Sequence, residues 1–265
     1  MHHLQAYLAV FRVQWQTEIE WRLNVLTQFA GTLLGIVSMY YLWTEVFSGR
    51  AALMGYTQPE IITYFAVAGY LAMGTFFYLP VFADIRDGEL SAYLVRPMSY
   101  LGYVWSQTMA RSVFAFLLGL PIMAGLFILL RDNVFIVSNP LNYAVFFVTA
   151  FGALNILFMF NMIIACLEFK YLYSDMVVWM SEMVVFLAAG HMIPLVFLPG
   201  PFRVVAELLP FKYVGMFPVN AFMGRLNWAE IATGLTMQLL WVGVFYVLFR
   251  LAWRWGIKRY EAFGK

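Results

Sequence analysis

The sequence has few charged residues and a single cysteine. Charged side chains make up 11% of the 265 residues, whereas hydrophobic side chains make up 63%. Soluble domains carry about 25% charged residues, so this composition excludes a soluble enzyme or binding module and indicates an integral membrane protein. The lone Cys166 excludes an internal disulfide and, with no second thiol or histidine beside it, a zinc site.

A phosphate-binding loop, a nucleic-acid patch and a cleavable signal are also missing. No lysine follows the pattern G-x-x-x-x-G-K-[ST], whose backbone holds ATP phosphates, so the sequence provides no loop of this kind for binding ATP. A net charge of +2 without a recurring aromatic–basic patch argues against nucleic acid. The first residues lack a small-residue cleavage site, so no signal peptide is expected.

Long apolar runs predict six membrane-spanning helices. A helix needs about 20 apolar residues to cross a bilayer. The predicted spans TM1 to TM6 are residues 23–47, 59–83, 100–130, 141–167, 176–198 and 229–255. TM3 is long for one crossing, since about 1.5 Å per residue gives it roughly 45 Å. Its first third, with Arg111, is expected to protrude into the cytosol, and Pro121 is expected to kink it.

Residues 3–20, before TM1, alternate apolar and polar side chains at helical spacing. The apolar stripe is Leu4, Tyr7, Leu8, Phe11, Trp15 and Ile19, and the opposite face carries Gln5, Arg12, Gln16 and Glu20. This pattern predicts an amphipathic helix in the membrane interface. The alternative is the first turns of a tilted spanning helix.

Residues 199–226, before TM6, are apolar but broken by four prolines. The helix-like pieces 202–209 and 219–223 are far too short to cross a bilayer. Short apolar pieces between prolines are typical of a re-entrant hairpin. The alternative is an outer loop folded on the surface.

The most polar stretch, Asp84–Ser99 (DIRDGELSAYLVRPMS), lies between TM2 and TM3. Hydrocarbon cannot hold its five ionisable residues, so it is expected in water. An aspartate near its start can cap a helix, Leu90, Tyr93 and Leu94 share a face, and Pro97 ends the pattern. The sequence predicts a short cytosolic helix suited to docking another protein, with a helical connecting loop as the alternative.

Lysine and arginine are distributed unequally between the two sides of the predicted spans. With the N-terminus inside, eleven of the 16 fall in the cytosol, which predicts cytosolic termini at both ends. The eleven are Arg12, Arg22, Arg86, Arg96, Arg111, Lys170, Arg250, Arg254, Lys258, Arg259 and Lys265, and the outer five are Arg50, Arg131, Arg203, Lys212 and Arg225.

Four polar residues within predicted spans are candidates for a transport path. Glu182 and His191 in TM5 mark either a functional pathway or a contact between helices or subunits. Asn155 and Asn161 in TM4 hydrogen-bond to another helix or line a path.

Two other functional classes were weighed against the residues. The cluster Asp84, Asp87 and Glu89 can bind magnesium as in membrane transferases, but such enzymes need a second acidic cluster facing the first. Glu168 and Asp175 are too far apart in sequence to supply it convincingly. A secondary transporter needs ionisable groups near the membrane midplane, and few are present. Both alternatives remain open at this point.

The order of these segments resembles the permease subunit of an ATP-binding-cassette exporter of the type-2 (ABC-2) class. The pattern GEL…L.RP.S at 88–99 is similar to the signature after span two of that family. The run IPLVFLPGPFRVVAELLPFKYVGMFPV at 193–219 resembles the family's segment before the last span. The resemblance covers essentially the whole chain.

The resemblance implies specific partners and roles. The helix after span two would be a coupling helix resting in a cleft of a cytosolic ATPase, which binds ATP and Mg²⁺ and is present in two copies. A second permease, identical or different, would pair with this one in a bacterial-type inner membrane. The implied coupling residues are Ile85, Arg86, Asp87, Gly88, Glu89, Leu90, Leu94, Arg96 and Pro97, and the implied outer-gate residues are Pro199, Pro210, Phe211 and Pro218.

Overall fold

The computed structural model describes residues 2–77, 79–171, 175–258 and 260. Within them the chain is helical, and the one extended pairing is an isolated bridge between Leu53 and Tyr56. Residues 172–174, in the predicted turn between TM4 and TM5, lie outside the described part, as do Arg259 and Lys265 of the basic tail.

The α-helices are numbered in chain order. They are α1 (His2–Glu20), α2 (Arg22–Val46), α3 (Gln58–Thr75), α4 (Val81–Arg86), α5 (Leu90–Leu94), α6 (Tyr100–Leu129), α7 (Leu141–Ala165), α8 (Asp175–Ala188), α9 (Gly200–Leu208), α10 (Met216–Phe222) and α11 (Trp228–Ile257). Short 3₁₀ turns at Cys166–Phe169, Leu195–Phe197 and Pro210–Tyr213 join some of them.

Within the described part of the chain, four helices are long and apolar enough to cross a membrane. They are α2, α6, α11, and α7 together with the 3₁₀ turn that extends it to Phe169. These lie where TM1, TM3, TM6 and TM4 were predicted. Pro121 lies inside α6, which spans all 30 residues.

The helices at TM2 and TM5 are shorter than predicted. The chain leaves α3 after Thr75, where Phe76 is extended, and the next helix starts only at Val81. The Phe116 ring packs so closely on Gly74 that a Cβ there would lie 2.2 Å from it. In the second case α8 ends at Ala188, and Gly190 has φ +82°, a conformation that ends helices.

Helix α1 packs along the first half of α6. The Tyr7 ring lies against Gly102, where a Cβ would be 2.7 Å away, and its hydroxyl accepts the Ser99 backbone N–H at 3.0 Å. Arg111 Nε lies 3.0 Å from Glu18 Oε1. Arg111, in the part of TM3 expected to protrude into the cytosol, thus pairs with α1. Apolar residues on the outer side of α1, such as Leu4, are exposed and suit contact with lipid.

The proline-broken segment extends along most of α7. Phe211, in the middle of the segment, packs edge-on against Phe160 in the second half of α7, with ring centres 5.1 Å apart. Phe222, near the end of the segment, packs against Tyr143 near the start of α7, with ring centres 5.2 Å apart. Helix α10 between them is buried, whereas Ala206 is the one buried residue of α9.

Candidate partner-docking site

The polar stretch at 84–99 forms two short helices rather than the single one predicted. Asp87 follows α4, and Gly88 takes φ +82° before Glu89 precedes α5. Glycine adopts this left-handed conformation without steric cost, so the chain turns here. Asp84, one of the two aspartates near the start of this stretch that were expected to cap a helix, instead lies inside α4. It is buried, and its Oδ2 accepts the Tyr100 hydroxyl at 2.5 Å.

Apolar side chains anchor both short helices in the protein. Val81, Phe82, Ile85 and Leu90 belong to one buried cluster that includes residues near the ends of α7 and α11. Leu90 is completely buried. The expectation that Leu90 faces water and contacts a partner is therefore wrong, because its side chain is already enclosed by this chain.

An aromatic cluster ties the same segment to two long helices. The Tyr93 ring lies 4.8 Å from Tyr103 and 5.6 Å from Tyr100, both in the first turns of α6. Trp253, near the end of α11, stacks on Tyr100 at 5.5 Å. The Arg96 guanidinium lies 4.4 Å from the centre of the Tyr93 ring. These contacts join α5 to the start of α6 and to the end of α11.

The outward side of the segment is exposed and mixed in character. We call Glu89, Leu94, Val95 and Arg96 the docking surface. Val95 is 84% exposed and was not among the residues singled out from the sequence. Its exposure follows from Leu90 and Tyr93 facing inward, which no local pattern shows on its own. The other implied coupling residues differ in burial: Ile85 is buried, Arg86 and Gly88 are half-buried, and Asp87 and Pro97 are exposed.

The acidic side chains of the segment lie in different surroundings. Burial raises the pKa of the Asp84 carboxyl, the hydrogen bond from Tyr100 opposes that rise, and the charges of Glu89 and Asp87 add to it. Asp87 and Glu89 are exposed. Across the described residues no group of three histidine, cysteine or acidic side chains is placed to hold a metal ion. The arrangement therefore gives no support to the magnesium cluster of a transferase.

The four polar residues of the predicted spans do not converge. Asn155 Oδ1 accepts the Trp105 indole N–H at 3.0 Å, which joins α7 to α6. Asn161 is buried in α7, and Glu182 is half-buried on α8. His191 is buried between the rings of Phe76 and Phe186.

Gln238 of α11 joins several elements but was not singled out from the sequence. It is buried, and its Nε2 donates to the carbonyls of Thr149 and Tyr213, each at 2.8 Å. It thus joins α11 to α7 and to the proline-broken segment. In the sequence, Gln238 stands out as an amide within an apolar run. A polar group in a membrane span requires a partner, so this position could have been predicted to bond another helix.

These features define an all-helical integral membrane protein whose polar segment packs against its long helices. The family model described as "ABC-2 family transporter protein" matches residues 33–264. No curated protein and no solved structure matches the chain. The match spans well over half of the sequence, so the chain belongs to the ABC-2 transporter family. This membrane family is the permease component of its transporters, distinct from the nucleotide-binding domain.

Proposed function

We propose that this chain is the permease subunit of an ABC exporter, which moves its substrate by coupling to ATP hydrolysis in a separate subunit. Two copies of a cytosolic ATPase, which bind ATP and Mg²⁺, and a second permease, identical or homologous, complete the complex. The observation that carries the proposal is the family match over residues 33–264, because it includes both the docking surface and the proline-broken segment.

The docking surface is suited to the ATPase for a mechanical reason. Its exposed aliphatic side chains, Leu94 and Val95, can enter an apolar cleft, while Glu89 and Arg96 beside them can set the orientation. The buried anchors Ile85 and Leu90 keep the segment from moving independently. Movement of the ATPase would therefore shift the ends of α6 and α11 rather than unfold a loop.

We place the docking surface and both termini in the cytosol, in a bacterial-type inner membrane. The eleven basic residues on that side support this orientation. Phe169 after α7 contacts Trp253 of α11 at 5.4 Å, so the ends of both helices lie beside the docking segment. Helices α3 and α8 would complete six passes. Thirteen residues of α3 are buried against neighbouring parts of the chain, so little of its surface would face lipid.

We further propose that the proline-broken segment is a re-entrant hairpin and outer gate, with Pro199, Pro210, Phe211 and Pro218 at its bends. Phe160 and Tyr143 are 17 positions apart on α7, or about 25 Å at about 1.5 Å per residue. The contacts of Phe211 and Phe222 with them support a descent of most of a hydrocarbon thickness, about 30 Å. At the outer end Arg225 bonds Glu60 at 2.9 Å, which ties the hairpin to α3.

ATP hydrolysis tests the proposal at its base. The purified chain alone should show no turnover, whereas a partner ATPase of the ABC class should bind the chain and hydrolyse ATP in the complex. Reproducible turnover by this chain without a partner would contradict the permease assignment. The control is the ATPase with its own phosphate-loop lysine replaced, which should remove the activity of the complex.

A further inference from the structure

A cavity of about 380 Å³ lies between the proline-broken segment and the first turns of α11. Its walls are mostly apolar, and Met216, Phe217 and Leu226 contribute to them. Lys212 also lines it, together with Thr233 on the α11 side. The cavity has no part in the docking of an ATPase, which takes place at the other end of the long helices.

Lys212 lies well below the outer end of α11. The neighbouring Tyr213 carbonyl accepts the Gln238 amide at 2.8 Å. Gln238 is ten residues beyond Trp228, the first residue of α11, which is about 15 Å along the axis at about 1.5 Å per residue. In the proposed membrane placement, this lysine is a cation within the bilayer depth, and such cations are costly and mark functional sites.

The ammonium group of Lys212 has an aromatic neighbour but no acidic partner. Nζ lies 5.0 Å from the centre of the Tyr213 ring. Among the described residues no carboxylate is within 4.0 Å of it. Glu230, the acidic residue of the cavity lining, sits in the first turn of α11, where its Oε2 accepts the backbone N–H of Asn227 at 2.8 Å. The cavity thus offers an ammonium group that no carboxylate of the described residues contacts, with the Glu230 carboxylate elsewhere in its lining.

We propose that this cavity binds the anionic group of an amphipathic molecule. A phosphate, sulfate or carboxylate would lie against Lys212, and an apolar chain would lie along Met216 and Phe217. A bare ion would leave the apolar walls unused, whereas small-molecule sites combine such walls with a few placed polar groups. The molecule would be either a membrane lipid or the transported compound.

The inference rests on the proposed membrane placement of α11 but not on the ATPase. Its test therefore uses the purified full chain without any partner. Thr233→Cys places a thiol on the cavity wall, in a Cys166→Ser background that removes the one native thiol. A neutral maleimide then reports how far the cavity is occupied. The probe is dodecyl phosphate, with dodecanol as its uncharged counterpart and inorganic phosphate as its chainless one.

Dodecyl phosphate should slow the labelling of the cysteine, and neither dodecanol nor inorganic phosphate should do so at the same concentration. Lys212→Met should raise the half-protecting concentration at least about tenfold, which is the loss of about 1.4 kcal/mol of binding. Lys212→Gln provides a second neutral variant with a polar side chain, and both should unfold at the wild-type temperature. Arg203→Met, which removes an exposed cation of α9, should keep the wild-type value.

Nanodiscs distinguish the two sources of the ligand. If phosphatidylglycerol slows labelling relative to phosphatidylcholine and Lys212→Met abolishes the difference, a lipid headgroup occupies the cavity. If only added dodecyl phosphate protects, the ligand is a non-lipid amphiphile. Equal protection by dodecanol, protection by inorganic phosphate alone, or protection unchanged in both Lys212 variants would overturn the proposal. Absence of ATPase binding would leave these results untouched.

Discussion

Leu90 and Val95 are five residues apart, yet one is enclosed by the protein and the other is 84% exposed. Leu90 contacts a core built from the ends of α7 and α11, whereas Val95 lies on the docking surface. A charged side chain is expected to destabilise the protein at position 90 and to be tolerated at position 95. This difference separates residues that hold the segment in place from residues available to a partner.

Leu90→Asp should destabilise the protein, whereas Val95→Asp should not. Truncating a buried leucine alone costs about 2–5 kcal/mol, and an unpaired buried carboxylate adds to that. An exposed substitution usually changes stability by less than about 0.5 kcal/mol. The measurement is the apparent unfolding temperature in detergent, followed by tryptophan fluorescence. Similar unfolding temperatures for the two variants would show that Leu90 is not buried as described.

Asp84 predicts a pH dependence of stability. Because burial raises its pKa, the folded state holds the proton more tightly than the unfolded chain does. Its contribution to the free energy of unfolding is full below the ordinary carboxyl value of 3.8 and falls as pH rises through the raised value. Asp84→Asn keeps an oxygen for the Tyr100 hydroxyl but cannot ionise. Its unfolding temperature should therefore fall less than that of the wild type from about pH 4 upward.

Asp132→Asn, which removes an exposed carboxyl at the other end of α6, is the matched control for that experiment. Its pH profile should follow the wild type, since its side chain is not enclosed. A wild-type profile for Asp84→Asn as well would show that the buried carboxyl does not govern the effect.

The prolines and the buried amide of Gln238 both shape the proline-broken segment. Prolines break the helix at fixed positions, and Gln238 holds the resulting turn through the Tyr213 carbonyl. The turn at Pro210–Tyr213 has this bond to α11 in addition to its packing against Phe160. The bond is therefore expected to control the local stability of the turn more than that of the whole molecule.

Gln238→Leu should loosen the segment around 210–216 while leaving the long helices intact. An unsatisfied buried carbonyl costs about 1–3 kcal/mol, which corresponds to roughly tenfold to hundredfold faster local exchange. Hydrogen exchange of peptides covering 210–216 is the measurement. Thr236→Val is the control, because its hydroxyl bonds only within α11. Unchanged exchange in the Gln238 variant would show that packing alone holds the turn.

The four long apolar helices could be predicted from run length, but the ends of α3 and α8 could not. Those ends depend on contacts between distant residues: Phe116 packs on Gly74, and the Tyr64 hydroxyl donates to the Gly190 carbonyl at 2.7 Å. Leu90 was misplaced for the same reason. Its burial depends on helix ends that lie far away in the sequence, and a heptad-scale pattern contains no information about them.

For the whole molecule, the exposed apolar surface is concentrated on particular helices. Helix α8 exposes large side chains including Met176, Trp179, Met180 and Met183. Such surface is expected against lipid or a second permease in a membrane protein and would be a liability in water. The polar surface of the docking segment lies at the end of the long helices, which agrees with a cytosolic end.

The proposed orientation predicts where water-soluble reagents reach the chain. In a Cys166→Ser background, Ala92→Cys on α5 should react only from the cytosolic side and Asp132→Cys only from outside, because both positions are exposed at opposite ends of α6. Labelling of intact cells and of permeabilised cells by a membrane-impermeant maleimide separates the two sides. The reverse pattern would overturn the orientation and the placement of the docking surface.

Co-purification measures whether the exposed side of 84–99 binds the ATPase. Leu94→Asp, Val95→Asp and Glu89→Arg each change the docking surface without touching its buried anchors. Losing one buried aliphatic contact costs about 1.5–3 kcal/mol, so affinity should fall about tenfold to hundredfold. Asp132→Lys, exposed at the other end of α6, is the control and should bind like the wild type. The three docking variants should fold, reach wild-type levels and lose the ATPase. Retention of the ATPase by all three at the wild-type ratio would show that this surface does not bind it.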